Sequence, residues 1–188
     1  PAPTGIYTLS LHDALPIWEI ARKTQENAHL AVKSGTQAVF IDREQGTNRI
    51  LTNTNIGDTE ELHCTAVGKC LICDYSREEL DILFGGQTLR RFTERTITDL
   101  DALSGELDEV KAKGYGTDIE EYEPNVVCLA CPIINYQGKI IAAIGISGTK
   151  DRGLPDLERN IGIIQEAAAA INKLLTGTEP TNGAASSG

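Results

Sequence analysis

Residues 114–148 read GYGTDIEEYEPNVVCLACPIINYQGKIIAAIGISG, and this stretch decides the fold. An acidic loop, with Asp118, Glu120 and Glu121, feeds two apolar runs at 126–133 and 139–147, joined across the turn signal Asn135–Gly138. Side chains alternate along a strand. Val126, Cys128, Ala130 and Pro132 therefore share one face of the first strand, and Ala143, Gly145 and Ser147 share one face of the second. Ile140, Ala142, Ile144 and Ile146 take the opposite, aliphatic face. A face of small and mildly polar residues leaves volume for a ligand, with Cys128 and Ser147 as directional contacts. It equally allows a helix to pack closely.

Outward from the hairpin, 18–30 opens with a short helix, and 28–32, 38–42 and 49–52 read as strands between turn signals at Ser34-Gly35 and Gly46. Two helices follow at 65–75 and 77–84, the second opened by Ser76 and Glu79 as a capping box. Leu100, Leu103, Leu107 and Val110 recur at helical spacing over 98–113, and Gly114 ends that helix. A last helix over 154–175 aligns Leu157, Ile161, Ile164, Ala168, Ile171 and Leu175 on one side. Strands, then helices, then strands again predict an α+β domain with an antiparallel sheet. Residues 1–17 share no pattern with the rest, and YTLSLHDALPI within them reads as translated sequencing-adapter sequence. They are expected to be a non-native or disordered leader. Residues 176–188, small, polar and rich in Gly, are expected to be a flexible tail. The chain has no methionine, even at position 1, which reads as a fragment of a longer frame or a processed product.

The chain of 188 residues carries a formal net charge of -10 and has no basic run. A surface that holds DNA unaided clusters Lys and Arg, so direct nucleic-acid binding is not expected. No apolar run approaches the roughly 20 residues of a membrane span. Five cysteines (Cys64, Cys70, Cys73, Cys128 and Cys131) are an odd number, which fits a reducing cytoplasm better than a disulfide framework. Cys70-x-x-Cys73 with Cys128-x-x-Cys131 has the spacing of a four-cysteine zinc site. Cys128 and Cys131, three apart on a strand, should nevertheless point to opposite faces. Core packing is the expectation, and neither metal nor cofactor is expected.

HCTAVGK at 63–69 reads as a helix entrance whose free backbone amides favour a carboxylate or phosphate, with small residues allowing close approach. Lys69 adds charge there or is solvated. His63 is a contact, a base or, more in keeping with a lone histidine, a cap or packing residue. Asp118 is placed to accept a hydrogen bond from a ligand hydroxyl, and Glu120 and Glu121 read as an exposed acidic face. Cys64, Cys70 or Cys128 would be the attacking thiol were the domain an enzyme, Cys64 with its pKa lowered by Lys69 and the helix start.

ENAHLAV (26–32), ILTNTNIGDTEELHCTAVGK (50–69), TITDLDAL (96–103), GYGTDIEE (114–121) and CLACPIINYQGKIIAAIGISG (128–148) follow in the order and spacing of one family. Over about residues 19–175 the chain resembles the effector-binding domain of IclR-type transcriptional regulators, so 18–175 is expected to be that domain. The resemblance implies a GAF-like fold, an antiparallel sheet flanked by helices, that is not itself an enzyme. It implies a homodimer or homotetramer in the cytoplasm that senses a small organic acid. Operator DNA would be bound only through an N-terminal winged helix-turn-helix domain not present in this chain. Carried over by motif, the effector would meet the backbone of Ala66 and Val67 and the side chains of Asp118, Cys128 and Ser147. Where the family often reads SISG, this chain has Gly145. The lost hydroxyl and the volume gained lead to the expectation of a ligand bulkier or less hydroxylated than a two- or three-carbon keto acid. The rival readings are a GAF-like, thiol-dependent reductase of free methionine sulfoxide, the zinc domain, and an oligomerisation module without ligand.

Overall fold

The computed structural model describes residues 17–48, 54–86 and 88–176. In chain order these form α1 (Ile17–Thr24), β1 (Asn27–Ser34), β2 (Gln37–Glu44), β3 (Thr59–Glu61), α2 (Ala66–Ile72), α3 (Arg77–Phe84), α4 (Leu100–Lys113), β4 (Gly116–Ile119), β5 (Val126–Ile134), β6 (Ile140–Thr149), α5 (Lys150–Gly153) and α6 (Leu157–Thr176). Every strand pairing is antiparallel, in the order β3-β2-β1-β6-β5-β4. The α+β expectation holds. The strand read at 49–52 lies outside the described residues.

The helix ends follow from their capping chemistry. Ser76 Oγ accepts the Glu79 amide while the Glu79 carboxylate accepts the Ser76 amide at 2.7 Å, the reciprocal box that starts α3. Asp99 caps α4, and Gly114, at φ +73°, ends it in the left-handed conformation that glycine adopts without Cβ strain. The last helix begins later than its apolar pattern suggests. Pro155 has no amide to donate, so a short α5 and a turn precede α6.

The sheet separates two apolar layers. Ala31, Phe40, Ala130 and Ala143 pack with Leu62, Cys70, Leu103 and Leu107 beneath α2, α3 and α4. Leu129, Cys131, Ile133, Ala142, Ile144 and Ile146 pack with Ile164, Ala168 and Ile171 beneath α1 and α6. Each large aliphatic side chain so buried is worth about 1.5–3 kcal/mol. The period-2 faces therefore fall as expected, save that Ile140 packs on the α2 side. A register shift between Ile133 and Ile134, opposite Ile140, accompanies that exception. At the same irregularity the Ile134 amide donates instead to Asn172 Oδ1 of α6, at 2.8 Å.

One buried ion pair ties the α1–β1 corner to α5. Glu26 accepts from Arg152 Nε at 3.0 Å and Nη2 at 3.2 Å, and from Asn48 Nδ2 at 3.0 Å. Its side chain is only 4% exposed. Removing the guanidinium strands a desolvated carboxylate. Arg152→Ala is expected to cost about 2 kcal/mol, below the value for a fully enclosed pair because Arg152 is part-exposed. Chemical denaturation at neutral pH measures it, and Glu26→Gln in the same background should recover part of the loss.

Candidate functional site

The first turn of α2 is built as the sequence implies. Thr65, in extended conformation, caps the helix: its Oγ1 accepts the Gly68 amide at 3.2 Å and donates to Glu61 O at 2.7 Å. The Lys69 amide donates to Thr65 O at 2.9 Å. The amides of Ala66 and Val67 precede the intrahelical ladder. Both residues are buried against the sheet.

Beneath that turn the antiparallel register lays side chains in lateral rows. Asn27 pairs with Ser147, Ser147 with Cys128, and Cys128 with Asp118, a polar row across β1, β6, β5 and β4. The neighbouring row runs His29, Gly145, Ala130 and Gly116. A Cβ on Gly116 would stand 3.1 Å from Ala66 O, so the start of α2 rests directly on the small row. Ser147, Cys128 and Asp118 thus come together in one row, with Gly145 and Gly116 in the next and Ala66 over Gly116. Cys128 Sγ donates to Ser147 Oγ at 3.3 Å, a bond that uses the thiol hydrogen and not the hydrogen of the serine hydroxyl.

Several sequence expectations need correction here. Asp118 lies in strand β4 and not in a loop, so it belongs to the wall of the site. It is 2% exposed, and its Oδ1 accepts the amides of Glu121 at 2.7 Å and Tyr122 at 3.4 Å, holding the turn after β4. Glu120 and Glu121 are not an exposed acidic face. Glu120 pairs with Lys150 at 2.6 Å and Arg95 at 3.5 Å, while Glu121 pairs with Lys69 at 2.7 Å. Lys69 is neither solvated nor available to a ligand: it is 0% exposed and also holds Glu106 at 2.8 Å. Burial alone would lower its pKa, but the two carboxylates outweigh burial and raise it, so the ammonium stays charged.

Gly145 gains no room for a ligand. A Cβ there would meet Leu129 O at 2.7 Å and His29 Nε2 at 2.9 Å, so the protein's own imidazole takes that space. His63 is a packing residue, between the rings of Phe84 and Phe92 at 6.3 and 6.2 Å, with Nε2 2.9 Å from Arg90 O. Phe92 in turn meets Tyr122 at 4.7 Å. The segment carrying Phe92 is fastened to the turn after β4, since Thr93 Oγ1 donates to Glu120 O and Thr96 Oγ1 to Glu121 O, both at 2.7 Å.

The thiols lack nucleophile character. Burial pushes up Cys73 to about 11 and Cys131 to about 12, and Cys64, Cys70 and Cys128 rise as well. For Cys64, burial first and then Asp118, Glu121 and Glu61 prevail over Lys69, contrary to the expected lowering. Cys128 and Cys131 pack on opposite faces of β5, so the four thiols do not converge. Among the described residues no group of three or more His, Cys, Asp or Glu is arranged to hold a metal ion.

Three carboxyls of this region are raised, Glu121 by burial against the pull of Lys69. Burial, with smaller effects from Glu121, lifts Asp118 to about 7. Burial, then Glu123 and Asp58, lifts Glu60 to about 7. Between pH ~4 and ~7 the folded state holds protons that the unfolded chain has released, so stability falls as pH rises through that window. His29, lowered to about 4 by burial, opposes this as pH falls below ~6.5. Asp118→Asn keeps the acceptor for the Glu121 amide and is expected to flatten the loss between pH 5 and 8. Urea midpoints across that range are the measurement.

The residues at 11–173 match the family model described as the bacterial transcriptional regulator IclR C-terminal. This chain belongs to the IclR C-terminal family. It is 33% identical over 134 residues to the HTH-type transcriptional regulator XynR of Escherichia coli, covering 71% of this chain and 53% of that protein. It is 36% identical over 129 residues to the regulator KdgR of the same organism, 69% of this chain and 49% of that protein. The chain thus spans about half the length of these curated relatives. The crystal structure of the C-terminal domain of E. coli KdgR superposes with a TM-score of 0.75 at 32% identity, covering 85% of this chain and 93% of that one. The IclR-type, GAF-like expectation from sequence therefore stands, and the reductase and zinc readings give way to a regulatory family. No helix among the described residues is long and apolar enough to cross a membrane.

His29, Glu60 and the buried state of Lys69 were not anticipated as parts of this site. For His29 a signal existed: in ENAHLAV it shares strand parity with Asn27 and Ala31, which face α2. For Lys69 none existed, because its partners lie 37 and 52 positions away.

Proposed function

We propose that this domain senses a small organic acid and passes the signal to operator DNA through a winged helix-turn-helix domain outside this chain, within a cytoplasmic homodimer or homotetramer. The reading is supported by the polar row Ser147, Cys128 and Asp118, with the start of α2 resting through Ala66 on Gly116 in the next row. The acid's carboxylate would meet the amides of Ala66 and Val67, and its other polar atoms would meet Asp118, Cys128 and Ser147. With Asp118 raised to about 7, part of the population carries a carboxyl proton at neutral pH, a donor suited to an anion.

Signalling follows from differential affinity: ligand shifts assembly only so far as it prefers one arrangement over the other. Because Asp118 is part of a strand, the response is expected in packing around the pocket and between subunits. Thermal-shift screening of organic acids, followed by calorimetry, tests the reading. A ligand at a hundred times its Kd adds about 2.7 kcal/mol, a rise of several degrees in Tm. Ser147→Ala should weaken that ligand about tenfold, whereas a full panel without any shift refutes the reading and leaves an oligomerisation module. Gel retardation of DNA by this chain alone would also contradict it, since its net charge is -10.

A further inference from the structure

The imidazole of His29 is enclosed without being used by the protein. Only 5% of the residue is exposed. Its ring meets Phe40 edge-on, with centroids 5.1 Å apart at 88°, which fixes its orientation on the α2 side of the sheet. Nε2 lies where it would touch a Cβ on Gly145 at 2.9 Å, one row from Ser147 and Cys128. Neither ring nitrogen has a hydrogen-bond partner among the described residues, and neither is among the sealed, unpartnered atoms, which include His63 Nδ1. A nearly buried imidazole with open, unpaired nitrogens normally bonds water or a ligand.

We propose, resting on the pocket reading above, that His29 is a specificity residue whose imidazole hydrogen-bonds an uncharged oxygen, hydroxyl or carbonyl, of an oxygenated organic acid. Burial keeps the ring neutral, so it offers one N–H donor and one acceptor and suits such an oxygen better than the carboxylate. Gly145 and His29 act as a pair, the glycine making room for the ring. The polar function missing at 145 is thereby supplied from the neighbouring strand, and an oxygenated acid of few carbons becomes the favoured class, in place of the bulkier, less hydroxylated one expected from sequence.

Calorimetry on this chain with matched acids tests it: pyruvate and lactate against propionate, and 4-hydroxybutyrate against butyrate. The wild type is expected to favour the oxygenated member of at least one pair about tenfold. A site built to bond an oxygen penalises the analogue lacking it, because its own polar group is left unpaired. His29→Phe should cut that ratio to below about threefold, by weakening the oxygenated acid and relieving the penalty on the deoxy acid, and His29→Gln should keep part of the preference. A preference that survives His29→Phe, or a wild type that binds acids without any preference, overturns the His29 inference alone. If no acid binds the wild type at millimolar concentration, the pocket reading falls and this inference with it. Should His29→Phe fail to fold, the ring 15N shifts of wild-type His29 decide instead. Movement on adding the favoured acid supports the contact, and unmoved shifts refute it.

Discussion

Lys69→Met is expected to destabilise the domain by about 3–5 kcal/mol, the range for removing one partner of a buried ion pair. The ammonium is fully enclosed and binds Glu121 at 2.7 Å and Glu106 at 2.8 Å. Without it, Glu121, one of whose oxygens is already buried and unpartnered, must hold an unpaired charge or take up a proton. Methionine fills most of the lysine stem's volume, so the loss reports the stranded charge more than a cavity. With a urea slope of about 2 kcal/mol/M, the midpoint should fall by about 2 M. The triple change Lys69→Met, Glu106→Gln and Glu121→Gln should recover much of that, because uncharged amides are less costly to leave in place. A single variant as stable as the wild type would mean that water reaches this lysine.

Gly68→Ala should be comparably severe for a steric reason. A Cβ at 68 would lie 2.5 Å from Leu62 Cα, 2.6 Å from Leu62 O and 2.6 Å from Thr65 Oγ1. Two of these three atoms are backbone, so no side chain can swing aside, and the third is the cap of the same helix. Overpacking of an interior costs about 1–3 kcal/mol, and rigid neighbours set this site at or above the upper end. The expected result is a loss of about 3 kcal/mol in denaturant titration, and weaker effector binding because the Ala66–Val67 turn must shift. Gly162, where an added methyl would meet nothing within 4 Å, is the matched control: alanine there should be neutral or slightly stabilising on helix propensity.

Much of this architecture was legible because local chemistry specified it. The capping box at Ser76, the glycine end of α4 and the two-faced hairpin are signals contained within a few residues, and each falls where its pattern placed it. β3 and β4 were missed because Thr59–Glu61 and Gly116–Ile119 are short, polar edge strands without an apolar alternation. Their pairing is dictated by the strand beside them. That omission also explains why Asp118 reads as a loop residue from sequence. The juxtaposition of Ser147, Cys128 and Asp118 was legible, since they do share a row, but the electrostatics around them were not. Whether Lys69 faced water or two carboxylates depended on α4 and the turn after β4, which only the folded chain brings to it.

The central seam of the sheet, where Asn27–Ala31 of β1 meets Ala143–Ser147 of β6, sets the order in which a growing polypeptide can finish its work. Three strands lie on each side of that seam, and the pairing joins segments more than a hundred positions apart. A ribosome must release the β5–β6 hairpin before the two halves can zip, so β1 waits with one edge bare while the residues between are made. Loop closure of that length makes assembly slow and late. Cellular yield should therefore depend on whatever shields that edge in the interval.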